Sequence, residues 1–256
     1  MTAHHIELHR EGAVATILVN RPEARNALTA AMRGRLLELF EELNGARDVR
    51  VVVLRGAGGK SFISGADITE FRQQSPEDVL ELARRDEQLY QAMERLRAPS
   101  VAAIEGYALG GGLMLAAICD LRVCSDDSRL GITSAKSLGN ALSAGMYARL
   151  AALLGVGRVK EMLIGSEVLD AGKARAWGLV NEVHPRAEFD DRLRALTERL
   201  STHAPLTMWA AKESMRRLTG PLPDEDDVLR TVAASEDFRE GVAAFMEKRP
   251  PRWQNR

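Results

Sequence analysis

The chain has 256 residues, 45% of them apolar, with 35 lysines and arginines against 36 aspartates and glutamates and a formal net charge of −1. A chain of this length can bury a substantial core as one large domain or as a domain with an appendage, and its balanced, dispersed charge argues against nucleic acid or an acidic membrane surface as a partner. No apolar run is long enough to span a bilayer, and the polar start MTAHHIELHREG lacks a signal peptide's apolar core, so a cytoplasmic location is expected.

VATILVN (Val14 to Asn20) reads as a strand, and apolar periodicity predicts a helix from about Thr29 to Asn44, followed by the strand VVVLRG. RGAGGKSF ends like a phosphate-binding loop at Gly59, Lys60 and Ser61. Leu54 stands where that motif needs its first glycine, so Gly56 to Gly59 reads as a surface loop. A second amphipathic stretch from Pro76 to Arg97 leads to VAAIEG, a glycine-opened apolar helix and the strand LRVCS. This alternation implies an α/β fold with right-handed crossovers, in which loops at one end of the sheets converge. Beyond Leu150 the pattern turns helical, with one strand expected around LVNEVHP (Leu179 to Pro185). Helix periodicity covers 187–202, 205–218 and 224–247, ended by Pro250 and Pro251. Cys119 and Cys124 match neither a redox pair nor a zinc knuckle and read as core. His4, His5, His9, His184 and His203 have no metal-ligand spacing, so neither a metal nor a resident cofactor is expected.

The most informative stretch is IEGYALGGGLMLAAICD, where Gly110, Gly111 and Gly112 open the helix. Each glycine inside a helix gives up about 1 kcal/mol against alanine. One explanation is a backbone N–H that must come close to a negatively charged oxygen at the positive end of a helix; the plainer one is tight packing against a strand. A second small-residue turn lies in SFISGADITEF, which by itself reads as a helix start capped by Asp67. Two such turns at strand ends can offer converging N–H donors to one carbonyl oxygen, the arrangement acyl chemistry needs.

Together with NRPEARNALT (Asn20 to Thr29), the AxxxGLVNEV stretch from Ala174 to Val183, and FMEKR near the C-terminus, these segments resemble the crotonase superfamily, the enoyl-CoA hydratase/isomerase family, over nearly the whole chain. The resemblance implies a crotonase-like α/β spiral of ββα turns with a C-terminal helical region: residues 1–195 as the core carrying the CoA and oxyanion site, and 196–256 as a trimerisation region. It implies an acyl-CoA substrate, with coenzyme A part of the substrate rather than a cofactor, and assembly as a homotrimer or hexamer. The N–H groups of Ala66 and Gly111 would form the oxyanion hole in which an enolate develops. Arg25, Ala27, Ala66, Asp67 and Ile68 would contact CoA, Arg25 facing phosphates, and Lys248, near Phe245, would reach CoA from the C-terminal region, often across a subunit boundary.

The sequence departs from that family where proton transfer is decided. In its hydratases one glutamate lies three residues beyond the oxyanion glycine, and here that position is Met114, one turn from Gly111 on the same helix face. The second glutamate's position is Ser134 or Ala135, and the isomerase acid's position is Ser137 or Lys136. General acid or base groups contribute about 10² to 10⁴ each, so their loss argues against classical hydration. Asn140, Ser143 and Tyr147 are the polar candidates to replace them, followed by Asp67 and Glu70, although Asn140 and Ser143 read more simply as helix caps. Phe62, Phe71, Leu138, Leu142 and Met146 are expected to line an apolar acyl pocket. Three readings follow: an acyl-CoA lyase or isomerase; a thioester or C–C hydrolase, for which AxSxG at Ala141 to Gly145 is a faint nucleophile-elbow pattern; and a CoA-binding oligomeric subunit without activity.

Overall fold

Local chemistry sets the first helices. Thr29 Oγ1 accepts the Met32 N–H at 3.2 Å and starts α1 (Ala30–Gly45), which buries Met32, Leu36, Leu39, Phe40 and Leu43 along one face. Ser75 and Asp78 exchange hydrogen bonds in a capping box that opens α2 (Pro76–Glu94), with proline in the first turn. The computed structural model describes residues 5–73, 75–138, 141–218, 231 and 234–256.

Two sheets form the scaffold. β1 (Ile6–Glu11), β2 (Val14–Val19), β3 (Val51–Gly56), β5 (Ser100–Ile104), β7 (Leu121–Ser125) and β10 (Glu182–His184) lie in the order β1-β2-β3-β5-β7-β10. β1 and β2 pair antiparallel and the remaining neighbours pair parallel. β4 (Ser61–Ile63), β6 (Tyr107–Leu109), β8 (Arg129–Gly131) and β9 (Val168–Asp170) make the second sheet, parallel through β4, β6 and β8 and closed by antiparallel β9. The chain visits the two sheets in turn and then turns into a helix: β3-β4-α2, β5-β6-α3 (Gly111–Ile118) and β7-β8-α4 (Ser134–Ser137). This is the expected spiral of ββα turns. It continues through α5 (Ala144–Leu154), α6 (Val156–Ile164), α7 (Ala171–Trp177), α8 (Phe189–Ser201), α9 (Pro205–Arg217) and α10 (Glu236–Glu247).

The six-stranded sheet is covered on both faces, which is why VVVLRG is a continuous apolar run rather than an alternating one. Val52 and Leu54 join the large core with α1, α2 and α3, while Val51, Val53, Val101 and Val123 pack beneath Phe189, Leu193, Leu196 and Leu200 of α8. α8 therefore runs without a break across 195 and 196 and packs on the spiral core. Beyond α10, Trp253 donates its indole N–H to Thr202 C=O and accepts from Arg50, and Asn255 donates to Arg47 C=O. These bonds tie the tail to the end of α8 and to the turn that precedes β3.

Several expectations shift in detail. The polar start contains a strand, Ile6–Glu11, whose partner is β2. The strand expected over Leu179 to Pro185 shortens to Glu182–His184, with Leu179 and Val180 buried ahead of it. Of the periodic stretch 224–247, α10 starts at Glu236, and 224–230 lie outside the described residues. The loop resembling a phosphate cradle joins β3 to β4, two strands, rather than a strand to a helix, and Lys60 is exposed there. Cys119 and Cys124 are free and buried, and burial pushes both thiols up to about 12, in keeping with core residues.

Gly112 is fixed by close approach: a Cβ there would overlap the Ile63 carbonyl oxygen at the end of β4. Alanine would gain about 1 kcal/mol of helix propensity, but overpacking against backbone costs about 1–3 kcal/mol or more. Gly112→Ala is therefore expected to lower the urea midpoint despite its better propensity; an unchanged or raised midpoint would contradict this packing.

Candidate functional site

The site follows from the second sheet. Parallel neighbours end at the same edge, and ligands in α/β sheets sit beyond the carboxyl ends of strands. With β4, β6 and β8 side by side and parallel, that edge receives three segments: Ser64 to Asp67 after β4, Gly110 to Met114 after β6, and Ile132 to Ser137 after β8. The Gly110 N–H donates to Gly131 C=O at 3.0 Å, joining the last two segments.

Ala66 forms a parallel bridge with Leu28. Leu28 donates its N–H to Gly65 C=O at 2.9 Å and accepts the Asp67 N–H at 2.9 Å. In such a bridge the bonds belong to the flanking residues, so the N–H of Ala66 itself points away from Leu28. Gly111 is the first residue of α3, where N–H groups have no partner within the helix. Gly110 before it has φ 52°, a left-handed conformation that glycine adopts without steric cost. The two turns touch: a Cβ on Gly111 would lie 3.9 Å from the Ala66 nitrogen, and one on Gly65 would lie 3.7 Å from the Gly111 nitrogen. Two backbone N–H groups with no helical or bridge partner thus stand side by side at the sheet edge.

Met114 is fully buried one turn further along α3 and donates its N–H to Gly110 C=O at 3.1 Å. Ser134 opens the short α4 half-buried, while Ala135, Lys136 and Ser137 are exposed. Asp67 is the carboxylate of the three segments and is already engaged. It accepts from the Thr69 hydroxyl at 2.7 Å and from Arg21 Nη1 at 2.7 Å. The Thr69 hydrogen bond first, and the Arg21 guanidinium after it, hold Asp67 below the usual carboxylate range. Glu70 accepts the Ala30 N–H through both oxygens at the start of α1. Among the described residues no cluster of three or more His, Cys, Asp or Glu side chains could hold a metal ion, and no helix is long and apolar enough to cross a membrane.

The other residues singled out in the sequence fall into two groups. Arg25, Ala27, Ala66, Asp67 and Ile68 are brought together: Ser64 donates to Arg25 C=O, Arg21 bonds both Ala27 C=O and Asp67, and Ile68 projects exposed beside them. Lys248 follows α10, exposed, on the C-terminal segment whose tail is tied to the turn before β3. Ser143 caps α5 by accepting the Met146 N–H at 3.3 Å, and the partly exposed Tyr147 accepts the Leu142 N–H at 3.3 Å. The last described element before Ser143 is the short helix α4, and 141–142 are not strand, so the strand that leads into a nucleophile elbow is absent there among the described residues. Asn140 and the Phe71 side chain lie outside what is described. Phe62 and Met146 are buried in the main core, Leu142 packs against it and Leu138 is exposed.

Two positioning residues escaped sequence reasoning. Asn26, buried at φ 58°, donates to Ser61 C=O at 2.6 Å and Ala57 C=O at 3.0 Å and accepts the Arg21 N–H, bracing the start of β4. Its signal was an asparagine, tolerant of left-handed backbone, inside a turn-rich run. Arg33 is a buried arginine next to core-facing Met32 of α1. Its signal was a charge at a core-facing position.

The depressed Asp67 titration has a stability consequence. A carboxylate with a lowered folded pKa contributes stability above its unfolded value, near 3.9, and loses it as pH falls through the folded one. Asp67→Asn is expected to lower thermal stability at neutral pH, with the difference from wild type closing as the solution is acidified below about pH 4. A gap independent of pH would count against this.

Comparison with known proteins agrees with the fold. The Enoyl-CoA hydratase/isomerase family model matches residues 9–256. The short-chain-enoyl-CoA hydratase of Clostridium acetobutylicum is 30% identical over 97% of this chain and 97% of its own length. The 2,3-dehydroadipyl-CoA hydratase of Escherichia coli is 32% identical over 96% of this chain and 97% of its own. Among solved structures, an enoyl-CoA hydratase/carnithine racemase from Magnetospirillum magneticum superposes with a TM-score of 0.92 at 33% identity, covering 98% of this chain and 96% of that one. An enoyl-CoA hydratase from Bacillus anthracis gives 0.91 at 31% identity, covering 98% and 100%. With its ββα spiral and its paired N–H groups at the sheet edge, the chain belongs to the enoyl-CoA hydratase/isomerase family.

Proposed function

We propose that this protein transforms an acyl-CoA by polarising the thioester carbonyl between the N–H groups of Ala66 and Gly111, and that it stabilises the resulting enolate without carrying out classical hydration. One observation carries the reading: the two N–H groups come from turns that touch at the ends of adjacent parallel strands. Backbone donors held by packed strands do not reorganise as charge develops, and each is worth roughly 2.7–4 kcal/mol in a transition state. In this reading Arg25, Ala27, Ala66, Asp67 and Ile68 receive the CoA moiety, which arrives with the substrate, and Lys248 serves a neighbouring copy in a homotrimer or hexamer. Lys248 is exposed, which leaves it open to such sharing.

The doubt about hydration rests on side chains. By resemblance, Met114 and either Ser134 or Ala135 take the places of the family hydratases' glutamates, and none of them moves a proton at the substrate's α and β carbons. Ser143 and Tyr147 lie outside the three edge segments and each accepts a local backbone N–H. The reaction is therefore of lyase or isomerase type, with proton transfer supplied by substrate, water or residues outside the three edge segments.

A panel of acyl-CoAs incubated with the protein and followed by liquid chromatography coupled to mass spectrometry, which also separates isomers of equal mass, tests this. A product that keeps CoA and loses or rearranges part of the acyl group supports it; free CoA points to hydrolysis, strong gain of water to hydration, and binding without conversion to an inactive subunit. Gly111→Pro deletes one N–H at the first helical position, where proline is tolerated. Turnover is expected to fall by about 10² to 10³ with the fold retained by circular dichroism; full activity would sink the assignment. Met114→Glu alone is expected to restore little hydration of crotonyl-CoA, because Ser134 provides no partner acid; a large gain would overturn this account of the missing chemistry.

A further inference from the structure

Arg33 connects three elements around the Ala66 turn. Its side chain is nine-tenths buried, and each nitrogen faces an oxygen, Nη1 and Nη2 in hydrogen bonds and Nε in an ion pair alone. Nη1 donates to Leu28 C=O at 2.9 Å, Nη2 lies 3.3 Å from Glu70 Oε2, and Nε lies 3.3 Å from Asp86 Oδ1 on α2. Leu28 C=O also accepts the Asp67 N–H, so the guanidinium shares an acceptor with the bridge that orients Ala66. Glu70 closes the circuit: both its oxygens take the Ala30 N–H at 3.0 Å, and its own N–H donates to Asp67 C=O at 3.1 Å.

The chemistry of this cluster is costly unless it does something. A buried ion pair seldom stabilises more than apolar residues of the same volume, and burial raises the Asp86 carboxyl even with Arg33 beside it. Asp86 Oδ1 is buried and makes no hydrogen bond. A leucine would fill this helix face more cheaply. A planar fork with several donors can instead hold a carbonyl and two carboxylates in fixed relation, which a lysine's point charge cannot.

We infer that Arg33 is a positioning residue: clamped by Glu70 and Asp86, it holds Leu28 C=O and through it the Ala66 N–H at the distance needed to polarise a thioester. This rests on the oxyanion role proposed for Ala66 and Gly111. Arg33 acts through Leu28 C=O and not on the thioester itself. It fixes the donor that has a single bridge behind it, whereas Gly111 is fixed by the helix it opens.

The test is the infrared band of the thioester carbonyl of butyryl-CoA, isotopically labelled at that carbon, bound to the full-length protein. Wild type is expected to shift the band to lower frequency relative to free butyryl-CoA. Arg33→Met loses most of that downshift, Arg33→Lys recovers part of it, and Glu70→Gln gives an intermediate loss. Since Arg33→Met leaves Asp86 buried without a counter-charge, the double variant Arg33→Met/Asp86→Asn is measured alongside and loses the same downshift. Lys212→Met, which removes the ion pair to Asp120 at 2.6 Å and the bond to Ala98 C=O on the core below α9, keeps it. A full downshift in the folded double variant, or an equal loss in Lys212→Met, overturns the positioning role. Absence of a downshift in wild type itself would overturn the oxyanion reading beneath it.

Discussion

Parallel pairing of three short strands is the constraint from which the rest follows. β4, β6 and β8 each span three residues, so the chain reaches the sheet edge almost as soon as it enters the sheet. Pairing them in parallel requires each return to pass through the other sheet and a helix, and this produces the alternation of sheets and the two packed faces of the larger one. The distance between the edge turns is then set by backbone against backbone, with Gly112 against Ile63 C=O and Gly65 against Leu109 C=O. In a site assembled this way strand register sets the spacing of the turns, and the Arg33 side chain braces the Leu28 bridge behind one of them.

That origin explains which parts were legible in the sequence. Glycine runs and caps are local: Thr29, Ser75 and the Gly110 to Gly112 run announce their helices because the residues that stabilise each turn lie within a few positions of it. Three-residue strands carry too little periodicity to register, so β4, β6, β8 and β9 were invisible even though their flanking turns were not. β1 was missed because IELHRE leaves much of one face polar and accessible. Asn26 and Arg33 were illegible for another reason. Their partners, Ser61, Glu70 and Asp86, lie more than thirty residues away, and no pattern along the chain records such a meeting. Ser143 and Tyr147 show the converse: polar residues on an unusual segment attract attention, yet their partners are local N–H groups.

Outside the edge, polar burial is spent on joining layers. Lys212 of α9 meets Asp120, which in turn accepts the N–H and hydroxyl of Ser100 at the start of β5. Arg122 of β7 is buried and donates to Leu179 and Cys119 carbonyls, fixing the chain that enters β10. Arg149 of α5 bridges Glu87 and Glu94 of α2. Each of these pins a helix or turn to the spiral.

The pairing of main-chain donors with a buried thioether bears on acidity. A peptide N–H does not ionise in the range where proteins stay folded, and methionine carries no proton at all. The grip on a carbonyl at Ala66 and Gly111 would thus be the same at pH 5 as at pH 9, and Met114 would impose no inflection between them. Any bell or slope in the turnover profile would belong to the substrate's own α-proton or to a group that approaches from outside the sheet edge, so the profile's shape identifies where the proton goes.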